Sequence, residues 1–150
     1  MKKIAILTCA EMPEMLPYDQ AVQKILIKRG FITDVLIWDE VLKLSRTHLK
    51  QYDLVLIRTI WDYYKKTDEF NDFLVRLEDE NINVLNPVDI IRWNMDKKYL
   101  MQLESEGYDI IPTIFNFAGE DSFSLALDKG WEKAVLKPMI SAGSYDTFVL

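Results

Sequence analysis

The chain has 150 residues, 49% of them apolar, and a formal charge of −6. That composition supplies a core for one domain, or for one domain and part of a second, and it argues against disorder. The acidic balance argues against nucleic acid or an anionic membrane as the main partner, since both need clustered positive charge.

A single cysteine, Cys9, excludes an internal disulfide and a multi-cysteine zinc site, and a single histidine, His48, excludes a multi-histidine metal site. No run approaches the ~18 consecutive apolar residues of a membrane span. Lys2 and Lys3 lead into only the short run Ile4–Leu7, which is not a secretory leader. The expectation is a cytoplasmic protein.

Lys3–Thr8 reads as a strand. The loop Cys9–Pro17 contains two prolines and no glycine, so the G-x-G-x-x-G of a dinucleotide site is missing. Asp19 is placed to cap a helix running to Arg29, with Ala21, Val22, Ile25 and Leu26 at helical spacing and Gly30 as its stop. Ile32–Trp38 is a second strand, and Asp39–Tyr52 mixes helical pieces without a clean period. Asp53–Thr59 is a third strand, apolar along its length and so expected at the centre of a sheet, with Arg58 and Thr59 at its carboxyl end. Thr67 or Asp68 can cap the next helix. Phe70, Phe73, Leu74 and Leu77 form its buried stripe, and Asn81 is its left-handed stop. Asn83–Leu85 is a short fourth strand, ended by Asn86 and Pro87. Strands alternating with helices predict a parallel α/β sheet, Rossmann-like, with helices on both faces.

After Pro87 the pattern changes. Val88–Trp93 is a short helical piece, and Asn94 can cap a helix running to Glu106, ended by Gly107. Ile110–Phe115 reads as an edge strand because it contains Pro112. Asp121–Lys129 looks helical. Ala134–Leu150 reads as a strand, a loop of small residues and a returning strand. The boundaries drawn from this are 1–87 for the α/β domain and 88–150 for the start of an α+β unit. Ending in mid-strand, the chain reads as a fragment, and open strand edges with uncovered apolar surface predict self-association into a homodimer.

Three constellations can carry chemistry. On the strand before the loop, Lys137 shares a face with Val135 and Met139. The loop Ser141-Ala142-Gly143-Ser144 would let backbone N–H groups approach phosphate oxygens. Two readings stand for Lys137: a phosphate clamp, or an edge lysine snorkelling into solvent. Lys97 and Lys98 fall in the first turn of their predicted helix, where positive charge opposes the macrodipole by about 0.3–1 kcal/mol. Either an anion arrives there or Asp96 neutralises one of them. Lys97 and Lys137 together could bracket one polyphosphate. Arg58, Trp61 and Asp62 lie beyond a strand end, where open α/β sheets bind ligands. Arg58 either takes a substrate carboxylate or phosphate, or pairs with Asp62 to pin the loop. No nucleophile-plus-base set is present.

These residues resemble a family. The series Arg58-Thr59-Ile60-Trp61-Asp62-Tyr63, Leu85-Asn86-Pro87, Trp93-Asn94-Met95-Asp96-Lys97-Lys98-Tyr99-Leu100, Pro112-Thr113, Leu136-Lys137-Pro138 and Ser141-Ala142-Gly143 is similar to the first half of an ATP-grasp enzyme. The likeness is to the glutathione-synthetase-like type, in the group that contains the cycloserine-forming ligase. It implies a pre-ATP-grasp domain over 1–87 and the truncated opening of the ATP-binding domain over 88–150. It implies that Lys97 and Lys137 contact ATP, and that Ser141, Ala142, Gly143 and Ser144 form the phosphate-covering loop. Arg58, Trp61 and Asp62 are then candidates for substrate binding. The family reaction joins a small-molecule carboxylate to an amine or similar nucleophile through an acyl phosphate, which needs charge neutralisation and positioning but no covalent enzyme intermediate. Magnesium is implied as well, with its ligands expected beyond residue 150, so the fragment alone is expected to be inactive. The phosphate loop departs from many relatives in having only one glycine, Gly143. The competing reading is a non-catalytic Rossmann-like domain that binds a small anionic ligand or serves as an interaction module.

Overall fold

The structure, a computed structural model, describes residues 1–116 and 121–150. The chain divides into two units, Met1–Trp93 and Asn94–Leu150.

In the first unit, β1 (Lys3–Thr8), β2 (Ile32–Ile37), β3 (Leu54–Thr59) and β4 (Val84–Leu85) form one parallel sheet in the order β2-β1-β3-β4. This is the α/β fold expected from the alternation of strands and helices. β1 and β3 are the two interior strands, in keeping with their apolar runs. Alternation along β1 sends Ile4 and Ile6 to one face, where they pack with Met15, Leu26, Phe31, Val35, Leu54 and Leu56. Ala5 and Leu7 point the other way and are fully buried, so both faces are covered.

The helix α1 (Pro17–Lys28) begins three residues earlier than expected, with Leu16 in place of Asp19 at the cap position. Proline lacks an N–H and has a helical φ, so Pro17 serves as the first helical residue. Asp19 is therefore not a cap but a buried residue of the first turn. After β2 come the short α2 (Trp38–Val41) and a 3-10 turn, His48–Gln51. The helix α3 (Thr67–Asp79) buries Phe70, Phe73, Leu74 and Leu77, the predicted stripe. Neither Thr67 nor Asp68 caps it: Thr67 is its first residue, and its hydroxyl donates back to the Tyr64 carbonyl. The Trp38 ring meets Phe70 edge-on at 5.3 Å and Phe73 at 5.9 Å, a geometry that adds to simple burial. Asn81 takes the left-handed conformation, φ 52°, that ends α3.

α4 (Val88–Met95) runs past Asn94, which is thus inside a helix and caps nothing. In the second unit α5 (Tyr99–Ser105) begins only after Lys98, because the Asp96 carboxylate accepts the Lys98 N–H and turns the chain first. α6 (Ser122–Asp128) is capped by Asp121, which accepts the Phe123 N–H. β5 (Val135–Leu136) and β6 (Phe148–Val149) form the predicted hairpin as a short antiparallel pair. Ile110–Phe115 carries no strand: among the described residues no partner strand lies beside it, and Pro112 removes a ladder donor. Among the described residues no helix is long and apolar enough to cross a membrane.

Candidate functional site

The strand order sets the first site. From β1 the chain moves to β2 on one side, then returns to β3 on the other. The connections therefore diverge at the carboxyl ends of β1 and β3, the switch point at which open parallel sheets form a crevice. Thr8 and Thr59 end these two strands, both fully buried. The Thr8 hydroxyl donates to the Met12 carbonyl at 2.6 Å and so anchors the loop that follows β1.

Arg58 precedes Thr59, and its Nε donates to the Asp19 carboxylate at 2.7 Å. The Thr59 hydroxyl donates to the other oxygen of the same carboxylate. Asp62 is buried and accepts the Trp38 indole N–H at 2.8 Å. The Arg58–Asp62 pair considered from sequence does not form, because each group is engaged by a residue from a different element. Trp61, beside them in the chain, keeps 40% of its surface exposed. Nearby in sequence, the Lys66 ammonium meets Asp39 Oδ2, a contact that raises the pKa of Lys66 above its ordinary value. Lys65 reaches Glu11 and ties the loop after β3 to the loop after β1.

Asp19 is not the helix cap that its residue type suggests, and Trp38, expected at the end of the second strand, is instead the buried partner of Asp62. For Asp19 the available signal was Pro17, whose preference for the first helical position puts Asp19 in the third, facing inward. Trp38 carried no such signal, because its partner lies 24 residues away.

The second unit holds the lysines. The Lys97 backbone N–H and its Nζ both donate to the Met139 carbonyl, at 3.0 and 3.1 Å. Nζ also donates to the Ser141 hydroxyl at 2.9 Å. Lys97 therefore lies before α5 and not in its first turn, as does Lys98, whose ammonium stays exposed 3.4 Å from Asp96. Lys137 follows β5 directly. It is exposed and makes no ion pair among the described residues, and Val135 and Leu136 beside it are exposed too, so the half-buried strand face expected there is not formed. The Lys97 pKa is lowered, first by burial and then by the Lys137 charge, with Asp96 acting in the opposite direction. The loop from Ser141 turns through Gly143 and Ser144, both at φ 59°, and the Tyr145 N–H donates to the Ala142 carbonyl. Ser141 and Ala142 are half-buried while Gly143 and Ser144 are exposed.

Among the described residues no group of three or more His, Cys, Asp or Glu side chains gathers to hold a metal ion.

Comparison with known proteins bears on the family and the fold. A family model described as the N-terminal domain of D-cycloserine synthetase DcsG matches residues 4–86. The cycloserine biosynthesis protein DcsG of Streptomyces lavendulae is 25% identical over 99 residues, which cover 66% of this chain and 31% of that protein. The crystal structure of D-cycloserine synthetase DcsG aligns with a TM-score of 0.75 at 24% identity, over 98% of this chain and 50% of that one. At that identity the alignment speaks to the fold. The chain thus spans at most half the length of these relatives. The likeness to the cycloserine-forming group seen in the residue series is borne out, and the chain belongs to the family of DcsG N-terminal domains.

Proposed function

We propose that this chain is the opening part of a cytoplasmic ATP-dependent ligase. The reaction joins a carboxylate to an amine or similar nucleophile through an acyl phosphate. In this reading Lys97 and Lys137 contact the ATP phosphates, and Ser141, Ala142, Gly143 and Ser144 cover them. Arg58, Trp61 and Asp62 belong to the substrate side. Turnover is assigned to a protein of the relatives' length, of which this chain supplies part of the ATP site.

One observation carries the proposal. Two ammonium groups from separate segments lie close enough that, after burial, the Lys137 charge further lowers the Lys97 pKa against the opposing effect of Asp96, and among the described residues neither lysine makes a salt bridge. A half-buried cation beside a like charge is unfavourable by itself. A polyphosphate would reverse that balance by neutralising both charges at once. Lys97 is also held in place by Met139 and Ser141, so little ordering is left to the moment of binding. When bound, ATP supplies the phosphoryl group that activates the carboxylate. The lysines orient its phosphates and offset the charge that develops as the phosphoryl group leaves. Magnesium does not fit any cluster of the described residues.

The test is a titration of the isotopically labelled chain with ATP, followed by NMR, for the wild type, Lys97→Ala and Lys137→Ala. Charge-assisted contacts contribute about 1.5–3 kcal/mol each, so either substitution should weaken binding about tenfold or more. A wild-type affinity that both variants retain would leave the phosphate assignment without support. Substrate-dependent ADP release by a protein of full family length, abolished by Lys137→Ala, would establish the ligase reading.

A further inference from the structure

We infer that Arg58 is a preset seat for a single oxyanion at the switch point, and that the buried carboxylate of Asp19 is its positioning residue. This deepens the ligase reading, on which it rests, by giving a carboxylate substrate a place to dock.

The first observation is how Asp19 is used. It is 1% exposed, and a buried carboxylate is unfavourable unless its oxygens are engaged. Both are: one accepts from Arg58 Nε and the other from the Thr59 hydroxyl. Thr59 and Arg58 are consecutive at the end of β3, so Asp19 grips the strand end at two adjacent residues. The carboxylate cannot follow Arg58 if that side chain swings away.

The second observation is which part of Arg58 is held. Guanidinium carries five N–H donors in one plane. Asp19 takes the single donor on Nε. The four on the two terminal nitrogens make no hydrogen bond among the described residues, and the side chain is 43% exposed. An ion pair built only for stability gains most from two parallel bonds through the fork. Here the fork is left open while its stem is fixed. Two parallel N–H groups at fixed separation match the two oxygens of a carboxylate, or two oxygens of a phosphate.

The third observation is place. The group lies where the connections from β1 and β3 diverge, at the carboxyl end of β3, next to the crevice in which such sheets take ligands. The Thr8 hydroxyl on the Met12 carbonyl holds the neighbouring loop in position at the same end.

The experiment titrates the chain with sodium acetate and, separately, with inorganic phosphate at constant ionic strength, reading the Arg58 Nε–H resonance by NMR. A saturable shift with acetate assigns the seat to carboxylates, and one with phosphate alone assigns it to phosphate groups. Arg58→Gln, which lacks the Nε–H and is read instead at the neighbouring Thr59 backbone N–H, should abolish either. Asp19→Ala, which removes the charge together with the acceptor, separates positioning from simple charge, because the two predict opposite signs. Removing a negative charge would by itself tighten anion binding. Loss of the grip on Nε frees a rotamer-rich side chain, which corresponds to affinity about 2- to 10-fold weaker. Thermal melts confirm that the variant is folded. Should it not fold, Asp19→Glu keeps the charge but displaces the fork, and weaker binding is again expected where charge alone predicts none. No saturable shift with either ion in the wild type, or anion binding by folded Asp19→Ala as tight as wild type or tighter, would overturn the inference. Either result leaves the ATP titration of Lys97 and Lys137 unaffected, since no residue is common to the two tests.

Discussion

Replacing Arg76 with leucine tests the reasoning about buried charge most directly. Arg76 lies on α3 with only 8% of its surface exposed. Its Nε donates to Glu80 at 2.8 Å, one turn along the helix. Its terminal nitrogens donate to the Val41 carbonyl at 2.8 Å and the Ser45 carbonyl at 2.6 Å, clamping the segment after α2 onto α3. Both carbonyls keep a backbone donor without it, the Leu44 N–H on Val41 and the His48 N–H on Ser45. The cost therefore concentrates on Glu80, which is equally buried and whose second oxygen already has no partner among the described residues. Removing one member of a buried pair costs about 3–5 kcal/mol. That is a large share of the about 5–15 kcal/mol of a typical domain, and it would lower Tm by on the order of 20 °C for a unit of this size. Urea denaturation followed by circular dichroism gives the value. The double variant Arg76→Leu with Glu80→Leu leaves no unpaired charge and should recover most of the loss. A single variant costing less than about 1 kcal/mol, well below that range, would refute the reasoning, as would a double variant no more stable than the single.

Two further outcomes concern pH. The Tyr52 hydroxyl donates to Asp34 at 2.8 Å, and the Lys3 ammonium lies over the Tyr52 ring and bonds the same carboxylate. Burial and then Asp34 raise the Tyr52 pKa well above its ordinary value of 10.0, so the stability it contributes is complete below pH 10.0 and is lost as pH rises beyond it. Lys3 and then Tyr52 lower the Asp34 pKa below its ordinary value of 3.8, so that contribution is present above pH 3.8 and lost on further acidification. Tyr52→Phe should cost about 1 kcal/mol at neutral pH. The gap to wild type should narrow above pH 10.0, and acid unfolding should begin at higher pH; parallel pH–stability curves would refute this. The lowered pKa of Lys97 means that the fold disfavours its charged form, so its contribution to stability grows as pH rises toward its ordinary value of 10.5. The same shift leaves more free amine at mildly alkaline pH. Labelling of Lys97 by acetic anhydride, followed against pH by peptide mass spectrometry, should therefore reach its plateau at a lower pH than that of the exposed lysines; a common pH profile would count against the shift.

What could be read from the sequence was set by near neighbours along the chain. The strand β1, the central strand β3, the buried stripe of α3 and its stop at Asn81, the helical stretch after Asp121 and the β5–β6 hairpin all follow from periodicity and turn chemistry spanning a few residues. Order along the chain also sufficed to place Arg58 at a strand end and to put Lys97 and Lys137 under suspicion. Where the local signal was contested it failed. Pro17 displaced Asp19 from the cap, and Asp96 turned the chain before α5 could include Lys97. The apolar run Ile110–Phe115 could not become a strand on its own, because a strand exists only with a partner.

Partner choice belonged to the tertiary structure. Asp19 meets Arg58 across 39 residues, Asp62 meets Trp38 across 24, Arg76 meets Val41 across 35, and Lys97 meets Ser141 across 44. No periodicity encodes such pairs. They depend on which strands lie side by side and where each helix begins, and a shift of one or two residues exchanges one partner for another. The residue types by themselves left anion binding and structural pairing as alternatives. The β2-β1-β3-β4 order decided that Arg58 would be held by its stem, with its fork left open.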